Sequence, residues 1–271
     1  MAPGLDDVIR YWQEHPVHSI EFPVDGDFRS YFDGVDALRW SDNERWVRAS
    51  FYDLKGGAAT KLLDAGCGIG VFTRFYARKG FDVHAIDIAP RAVAMTQMSL
   101  ELYDLRAQVQ AASVEELPFP ESSFDYVISN GVIHHTPNTE KAVEEFYRVL
   151  KPGAIASVCV YYKNALLRQP IWPIVRLALP LLLRKRSGRE HMLKVRTPED
   201  FVRTYDGNDT PIARAYSKRE ADRLFRRFKI LKREPHYFPV RFLRFLPSGG
   251  FVHHILDRSL GCLIYYLLKK P

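Results

Sequence analysis

Cysteine is scarce in this sequence, with three residues among 271 and no two of them close together. Cys67, Cys159 and Cys262 therefore lack the short spacing of a metal site, and we expect no bound metal. Cys67 lies in a glycine-rich turn and Cys159 in an apolar segment. Both are interpreted as small, reduced, hydrophobic side chains, which fits a cytoplasmic protein.

Other absences narrow the class of protein further. The first residues lack the basic and then apolar order of a secretory signal peptide, so we expect a cytoplasmic location. No internal repeat and no low-complexity segment is present. With 46% hydrophobic and 26% charged residues, the composition is that of a globular protein, and the length suits one α/β domain with insertions.

Charge is distributed unevenly along the chain. Residues 1–150 contain 14 Lys and Arg against 23 Asp and Glu, a net charge of −9, whereas residues 151–271 contain 25 against 9, a net charge of +16. Such a difference is compatible with solvated surface helices. It also suggests an anionic partner on one face of the molecule, such as lipid headgroups, phosphate or nucleic acid.

The most informative segment is residues 62–70, which read Leu-Leu-Asp-Ala-Gly-Cys-Gly-Ile-Gly. An apolar run ends in Asp64, glycines alternate with small residues, and a helical pattern begins at Val71. Glycine lets the backbone turn sharply and approach a ligand closely, and the following helix presents its N-terminal N–H groups. The pattern indicates a nucleotide-binding turn, although dinucleotide-binding folds use a similar one.

A second apolar run, residues 82–88, places Asp87 at its end, 23 residues after Asp64. An acid at that position can accept hydrogen bonds from both hydroxyls of a ribose. Strand and helix patterns then alternate regularly, which predicts a parallel sheet with helices on both faces. Strands are predicted at 61–65, 82–86, 107–111, 124–129, 154–161, 228–234 and 262–269, and helices at 70–79, 90–104, 138–150 and 217–227.

Three further motifs follow in order. Residues 112–119 read Ala-Ser-Val-Glu-Glu-Leu-Pro-Phe, residues 124–135 end in Asn-Gly-Val-Ile-His-His, and residues 148–153 read Arg-Val-Leu-Lys-Pro-Gly. Together with the two acids and the glycines, this series closely resembles class I S-adenosylmethionine-dependent methyltransferases. The nearest likeness is the branch that includes the ubiquinone and menaquinone methyltransferases, and it covers residues 60–162.

The resemblance implies a fold, a cofactor and a set of binding residues. The fold is a Rossmann-like, doubly wound sheet of seven mostly parallel strands, the last one antiparallel. Residues 1–55 would form a helical lid, or alternatively helices that only pack against the sheet, and residues 56–271 the methyltransferase domain, with an insertion at about 164–208. The residues expected around S-adenosylmethionine are Asp64, Gly66, Cys67, Gly68 and Gly70 at its methionine end, Asp87 at the ribose, Ile88, Ser113 and Val114 at the adenine, and Asn130 and His134 at the methionyl group.

Two positions depart from what related enzymes carry. Ser113 stands where the family usually has an Asp that accepts a hydrogen bond from the adenine amino group, and a serine accepts it without charge. Asn130 begins Asn-Gly-Val-Ile, where base-modifying methyltransferases usually carry an Asn/Asp-Pro-Pro-aromatic turn. Methylation of nucleic acid is therefore the least favoured reading, despite the basic second half.

The His134–His135 pair leaves two roles open. A neutral imidazole could take a proton from a phenol, an enol or an acid, and His135 is the candidate general base. The family often has this pair across members with different acceptors. That favours a common structural role, such as contact with the cofactor carboxylate or anchoring of the loop.

The predicted insertion begins with an apolar run, residues 165–183, of about the length of a membrane span. However, Arg168 and Arg176 lie inside it, three prolines interrupt it, and a spanning helix would place two guanidinium groups in hydrocarbon. The run is therefore either an interfacial segment, whose following Arg184, Lys185 and Arg186 would suit anionic headgroups, or a buried cap over the acceptor pocket.

The sequence thus predicts transfer of a methyl group from S-adenosylmethionine to a small lipophilic or aromatic metabolite, at oxygen or carbon. One alternative is a lipid headgroup N-methyltransferase. Another, of a different class, is a catalytically silent cofactor-binding protein that acts as a partner subunit. A cytoplasmic protein, with or without peripheral contact at the inner face of a membrane, fits each reading, and the oligomeric state is left open.

Overall fold

The computed structural model describes residues 3–15, 27–40, 47–183, 195–204, 210–238 and 251–271, apart from the side chains of residues 179–183, 251 and 253. Arg184, Lys185 and Arg186, the predicted basic cluster, lie outside the described residues. In the described ranges, no helix is both long and apolar enough to cross a membrane.

A mixed β-sheet organises the chain. In chain order, its strands are β1 Lys61–Ala65, β2 Asp82–Asp87, β3 Gln108–Ala111, β4 Phe124–Asn130, β5 Leu150–Tyr162, β6 Ala215–Tyr216, β7 Lys229–His236 and β8 Leu263–Lys269. The spatial order is β3-β2-β1-β4-β5-β8-β7, and the two-residue β6 pairs with β5. Strand β8 runs antiparallel to β5 and β7, and the other strand pairs among the described residues are parallel. The seven predicted strands are all present, and the sequence analysis missed β6.

The helices connect these strands and precede them. They are α1 Leu5–Glu14, α2 Phe28–Arg39, α3 Val71–Arg78, α4 Pro90–Leu102, α5 Thr139–Val149, α6 Trp172–Leu183, α7 Pro198–Arg203, α8 Lys218–Leu224 and α9 Phe251–Leu260. The predicted starts are confirmed at two of them. The Asn138 side chain caps α5, and Ser217 and Glu220 form the capping box of α8.

One boundary differs from the prediction. The sequence predicts that the helix ends near Leu150, before the Pro152–Gly153 pair, and that the next strand begins at residue 154. Instead, α5 ends at Val149 and β5 begins at Leu150. The register between β4 and β5 shifts between Phe124 and Tyr126, and this irregularity accommodates the proline and the glycine.

The core lies on both faces of the sheet. On one face, strand side chains pack against α5 and α8, with Phe146, Phe225 and Tyr266 fully buried. On the other face, aromatic side chains that precede β1, including Phe51 and Tyr52, pack against α3. Because the parallel strands all point the same way, their carboxyl ends meet at one edge, where the predicted site residues also fall.

Candidate functional site

The turn after β1 depends on glycine at position 66. Gly66 has φ 89°, in the left-handed region that disfavours side chains, and its N–H donates to the carbonyl of Ile86 at 2.8 Å. A Cβ built on Gly66 would lie 2.3 Å from Cγ2 of Val132. The chain therefore passes under the loop after β4 with no room for a side chain.

Asp87 ends β2 and is held by the backbone on both of its carboxylate oxygens. Oδ2 accepts from the N–H of Gly68 and Oδ1 from that of Ala89, each at 2.9 Å. Burial raises the pKa of Asp87, and these N–H donors oppose the increase. Each carboxylate oxygen can accept more than one hydrogen bond, so the group can still bind a diol from the cavity.

Asp64 lies behind the turn, 2% exposed, where the hydroxyl of Thr73 donates to its Oδ2 at 2.6 Å. Burial, and to a smaller extent the charge of Asp87, raises the pKa of Asp64 to about 7. Its carboxyl group does not line the cavity described below. It can act on a ligand there only through its charge.

One cavity joins the carboxyl ends of β1, β2 and β4, with an empty volume of about 800 Å³ including its open mouth. The predicted residues that line it are Gly66, Gly68, Asp87, Ile88, Ser113, Val114, Asn130 and His135. Cys67, Gly70 and His134 were expected at the cofactor but are not part of this wall. Cys67 is buried with its Sγ 3.6 Å from the hydroxyl of Thr96, and Gly70 is the N-cap of α3.

The loop after β3 supplies the predicted adenine side of the cavity. Ser113 Oγ accepts from the N–H of Glu115 at 3.1 Å, so its side chain fixes the loop. The hydroxyl keeps its own hydrogen, and Ser113 can therefore also donate to a ring nitrogen, which an ionised Asp could not do.

Asn130 presents a defined group to the cavity. Its Oδ1 accepts from the hydroxyl of Tyr52 and from Sγ of Cys159, the latter at 3.3 Å, and Cys159 Sγ in turn accepts from the N–H of Gly131 at 3.1 Å. No described residue accepts from its amide nitrogen. Two donors on Oδ1 direct the NH₂ group away from them, and Asn130 therefore offers hydrogen-bond donors to the cavity. The sequence analysis missed Tyr52 and treated Cys159 only as a hydrophobic residue.

His134 anchors the loop after β4. Its ring is fully buried and lies 3.9 Å from the ring centre of Tyr161. Burial holds the pKa of His134 well below its usual range, so the ring stays neutral. Its carbonyl accepts from the N–H of Arg214 at 3.1 Å. Of the two structural roles expected for His134, contact with the cofactor carboxylate is not seen, because the ring does not reach the cavity.

His135 faces the cavity with a fixed tautomer. Its Nδ1 lies 2.7 Å from the carbonyl oxygen of Ile212, which can only accept, so Nδ1 carries the hydrogen. In the neutral ring, Nε2 is then the basic nitrogen. The edge of Trp12 packs against His135 with ring centres 5.1 Å apart.

The first helix closes one side of the cavity. Leu5, Val8 and Trp12 of α1 line it, and Gln13 accepts from the backbone N–H of Arg91 at the start of α4, at 3.0 Å. The abundance of aromatic residues before β1 indicated a lid, but the sequence offered no signal for Trp12 in particular. Helix α2 does not line the cavity and instead packs against α3 and α4.

These residues fit S-adenosylmethionine. The glycine turn leaves the backbone open toward the cavity, and Asp87 suits a ribose diol. Ile88 and Val114 give apolar surface for an adenine ring. No group of three or more His, Cys, Asp or Glu in the described ranges could hold a metal ion.

Comparison with known proteins agrees with this geometry. Residues 63–158 match the methyltransferase domain family. Phosphoethanolamine N-methyltransferase 2 of Caenorhabditis elegans is 32% identical over 157 residues, which cover 51% of this chain and 36% of that protein. Demethylmenaquinone methyltransferase of Tropheryma whipplei (strain Twist) is 30% identical over 146 residues, 54% of this chain and 59% of that one. The chain thus spans less than two thirds of the length of either relative.

Among solved structures, the cyclase SpnF superposes with a TM-score of 0.61 at 19% identity, covering 100% of this chain and 97% of that chain. At this identity the likeness concerns the fold alone. It extends over the whole chain, whereas the family match covers residues 63–158. Residues 63–158 are thus a domain of the class I S-adenosylmethionine-dependent methyltransferase type, for which S-adenosylmethionine is the cofactor.

Proposed function

We propose that this protein transfers a methyl group from S-adenosylmethionine to a small lipophilic or aromatic metabolite, at oxygen or carbon. The observation that carries the proposal is a single cavity with two kinds of wall. Gly66, Gly68 and Asp87 form a polar, nucleotide-binding side, and Leu5, Val8 and Trp12 form an apolar side. The apolar side suits an acceptor with little charge.

In this proposal, the chain's own residues bind and orient the cofactor. Asp87 accepts hydrogen bonds from the ribose hydroxyls, and the backbone of Gly66 and Gly68 lies along the methionine part of the cofactor. Asp64, when ionised, attracts the ammonium group of that methionine part through its negative charge. Ile88 and Val114 pack on the adenine and Ser113 meets its edge, while Cys67 and Gly70 support the turn from behind. When bound, S-adenosylmethionine supplies a methyl group on a positively charged sulfur, which is already a strong electrophile.

His135 is the candidate general base. Its Nδ1 donates to the carbonyl of Ile212, which leaves the lone pair of the neutral ring on Nε2, the nitrogen that would take a proton from an acceptor hydroxyl. Asn130 donates hydrogen bonds through its NH₂ group to an oxygen on the acceptor or the cofactor. Holding the two reactants in line supplies much of the rate, and a strong base is not required for every acceptor.

The lid and the insertion belong to the same proposal. We infer that residues 1–55 close over the cofactor, since α1 lines the cavity, and that the insertion at 164–208 lies on the acceptor side. The insertion has its own small core, in which Leu167, Trp172 and Val202 pack with Tyr161 at the end of β5. Tyr161 also packs against the ring of His134 and connects this core to the loop of the cavity.

A second candidate is N-methylation of a lipid headgroup. The likeness to a phosphoethanolamine N-methyltransferase and the net charge of +16 over residues 151–271 favour it. A catalytically silent cofactor-binding subunit is the candidate from another class. Nucleic acid is the least favoured partner. A cytoplasmic protein in peripheral contact with an anionic membrane fits a lipophilic acceptor, because such molecules partition into the bilayer.

Transfer of an isotope-labelled methyl group separates these candidates. The protein is incubated with labelled S-adenosylmethionine and either methylated hydroquinones and phenols or ethanolamine phosphate. Label in the organic-extractable products of the phenolic set supports the first proposal. Label only in the water-soluble amine products replaces it with the second candidate, and binding of the cofactor without transfer to either set supports the silent subunit.

A further inference from the structure

Exposed apolar side chains are concentrated on two neighbouring helices. Of the eight large apolar side chains that are exposed in the described ranges, five lie on or beside α6 and α9: Ile171, Ile174, Leu177, Val252 and Ile255. Both helices contact the short helical turn Ala165–Leu167, and Asn164 donates to the carbonyl of Leu260 at 2.8 Å. A concentration of this kind marks an interaction surface rather than ordinary scatter.

Helix α6 is anchored on one side and open on the other. Trp172, 3% exposed, packs against Phe201, and its indole N–H donates to the carbonyl of Arg196 at 3.3 Å. Ile174 and Leu177, three residues apart, are 69% and 84% exposed. These exposures mean that α6 is not the fully buried cap that the sequence left open. Its outward side is an exposed apolar surface, and Trp172 anchors the helix to the protein.

The charge around this surface selects its partner. Residues 163–183 contain three Lys and Arg and no Asp or Glu, and two of these, Arg168 and Arg176, are exposed. A second copy of the chain would bring like charges together at such a surface, whereas an anionic bilayer attracts them and accepts apolar side chains as well. At 12 residues, α6 is about 18 Å long, too short to span the bilayer's hydrocarbon.

We propose that the surface formed by α6 and α9 docks on an anionic phospholipid bilayer, with α6 in the plane of the interface and Ile174 and Leu177 between the headgroups and the acyl chains. This inference rests on the proposed function, because an enzyme with a lipophilic acceptor benefits from access to the bilayer. The insertion core reaches the cavity loop through Tyr161, which packs against Trp172's cluster and against His134. The docked helix is thus connected, through packed side chains, to the loop that carries His134 and His135.

Sedimentation with vesicles tests the surface. The variant carries Ile174→Gln and Leu177→Gln, and the matched control is Met98→Gln, which changes an exposed apolar side chain on α4. Wild type and control should sediment with vesicles of phosphatidylcholine and phosphatidylglycerol, and less so as salt is added, since exposed charges are screened over roughly 8 Å at physiological ionic strength. The double variant should partition onto these vesicles at least about tenfold more weakly than wild type. None of the three proteins should sediment with vesicles of pure phosphatidylcholine at high salt.

Two outcomes overturn the proposal. The first is absence of sedimentation at every salt concentration, or equal partitioning of the double variant and the control. The second is a dimer in light scattering that the double variant converts to a monomer, which would assign the surface to a second copy. Titration of each sample with S-adenosylhomocysteine separates this inference from the proposed function. Wild type that binds S-adenosylhomocysteine but not vesicles refutes only the docking surface, and wild type that fails to bind S-adenosylhomocysteine refutes the proposed function.

Discussion

At the scale of single residues, the site depends on a few positions where sterics and charge permit little else. Gly66 combines a left-handed φ with a Cβ direction blocked by Val132. Asp87 is fixed by two backbone N–H groups before any ligand arrives. Such preorganisation lowers the cost of ordering the site when the ligand binds.

The double constraint on Gly66 can be separated into its parts. Gly66→Ala should lower the free energy of unfolding by about 2 to 4 kcal/mol, through backbone strain and overpacking. Gly131 has a similar φ of 77°, but a Cβ built on it has no atom within 4 Å. Gly131→Ala should therefore lower the free energy of unfolding less, through backbone strain alone. Adding Val132→Ala to Gly66→Ala should recover part of the loss in urea unfolding. Equal decreases in the free energy of unfolding for Gly66→Ala and Gly131→Ala would show that the contact with Val132 does not affect stability.

Asp64 should make stability depend on pH. Its folded-state pKa of about 7 lies above the unfolded value near 4, so the folded protein binds more protons between these values. The contribution of Asp64 is therefore greatest below pH 4 and is lost as the pH rises to 7, by about 1.4 kcal/mol for each pKa unit. Urea unfolding at several pH values should show this decline in wild type and not in Asp64→Asn. Parallel pH profiles of the two proteins would contradict the raised pKa.

Asn130 should act as a donor. Asn130→Asp keeps an oxygen for Tyr52 and Cys159 but replaces the NH₂ group by a second, negatively charged oxygen. We expect kcat/KM for the identified acceptor to fall at least about tenfold, as for loss of a charged or well-placed hydrogen bond. Tyr52→Phe, which removes one restraint on the carboxamide, should cost less. Full activity of Asn130→Asp would exclude the donor role.

At the scale of elements, α1 completes the cavity. Three of its apolar side chains line the cavity, and its C-terminal end docks on α4 through Gln13 and Arg91. By contrast, α2 is tied to the core by Asp36, which pairs with the buried Arg74. Arg74 also donates to the carbonyl of Ile69 in the glycine turn, at 2.6 Å, so α2 supports the turn from outside the cavity.

This arrangement predicts that ligand binding stabilises α1. Addition of S-adenosylhomocysteine should slow amide hydrogen exchange in Leu5–Glu14 by roughly tenfold or more, because the ligand fills the space on which Leu5, Val8 and Trp12 close. Helix α8, remote from the cavity lining, should show no such change and serves as an internal control. Exchange in α1 that is unaffected by saturating ligand would remove α1 from the lid.

The regular part of the fold could be predicted from sequence because local signals coincide there. Apolar runs predict the strands, cap residues such as Asn138 and Ser217 predict where helices begin, and the glycine turn predicts the connection between β1 and α3. These local signals agree on one alternation of strands and helices. The missed features depend on contacts between distant residues. Strand β6 has two residues and forms only where the returning chain meets β5. Likewise, the bonds from Tyr52 to Asn130 and from His135 to Ile212 join residues 78 and 77 positions apart, which no local pattern records.

At the scale of the whole molecule, binding surfaces and charge are separated along the chain. The acidic first 150 residues build the glycine turn, both acids and the cavity loops, whereas the basic remainder supplies the insertion and the exposed apolar helices. The first half thus holds the loops of the cavity, and the second half carries the surface that we propose docks on an anionic bilayer. This division is what the proposed enzyme, drawing a lipophilic acceptor from a membrane surface, would require.

The most direct test of this account is calorimetric titration of the wild-type protein and of Asp87→Ala with S-adenosylhomocysteine. The account predicts one site per chain in wild type. It also predicts affinity about 30-fold weaker in the variant, equivalent to about 2 kcal/mol for lost charge-assisted hydrogen bonds to the ribose. Failure of the wild type to bind, or equal affinity in the two proteins, would contradict the assignment of this cavity to S-adenosylmethionine.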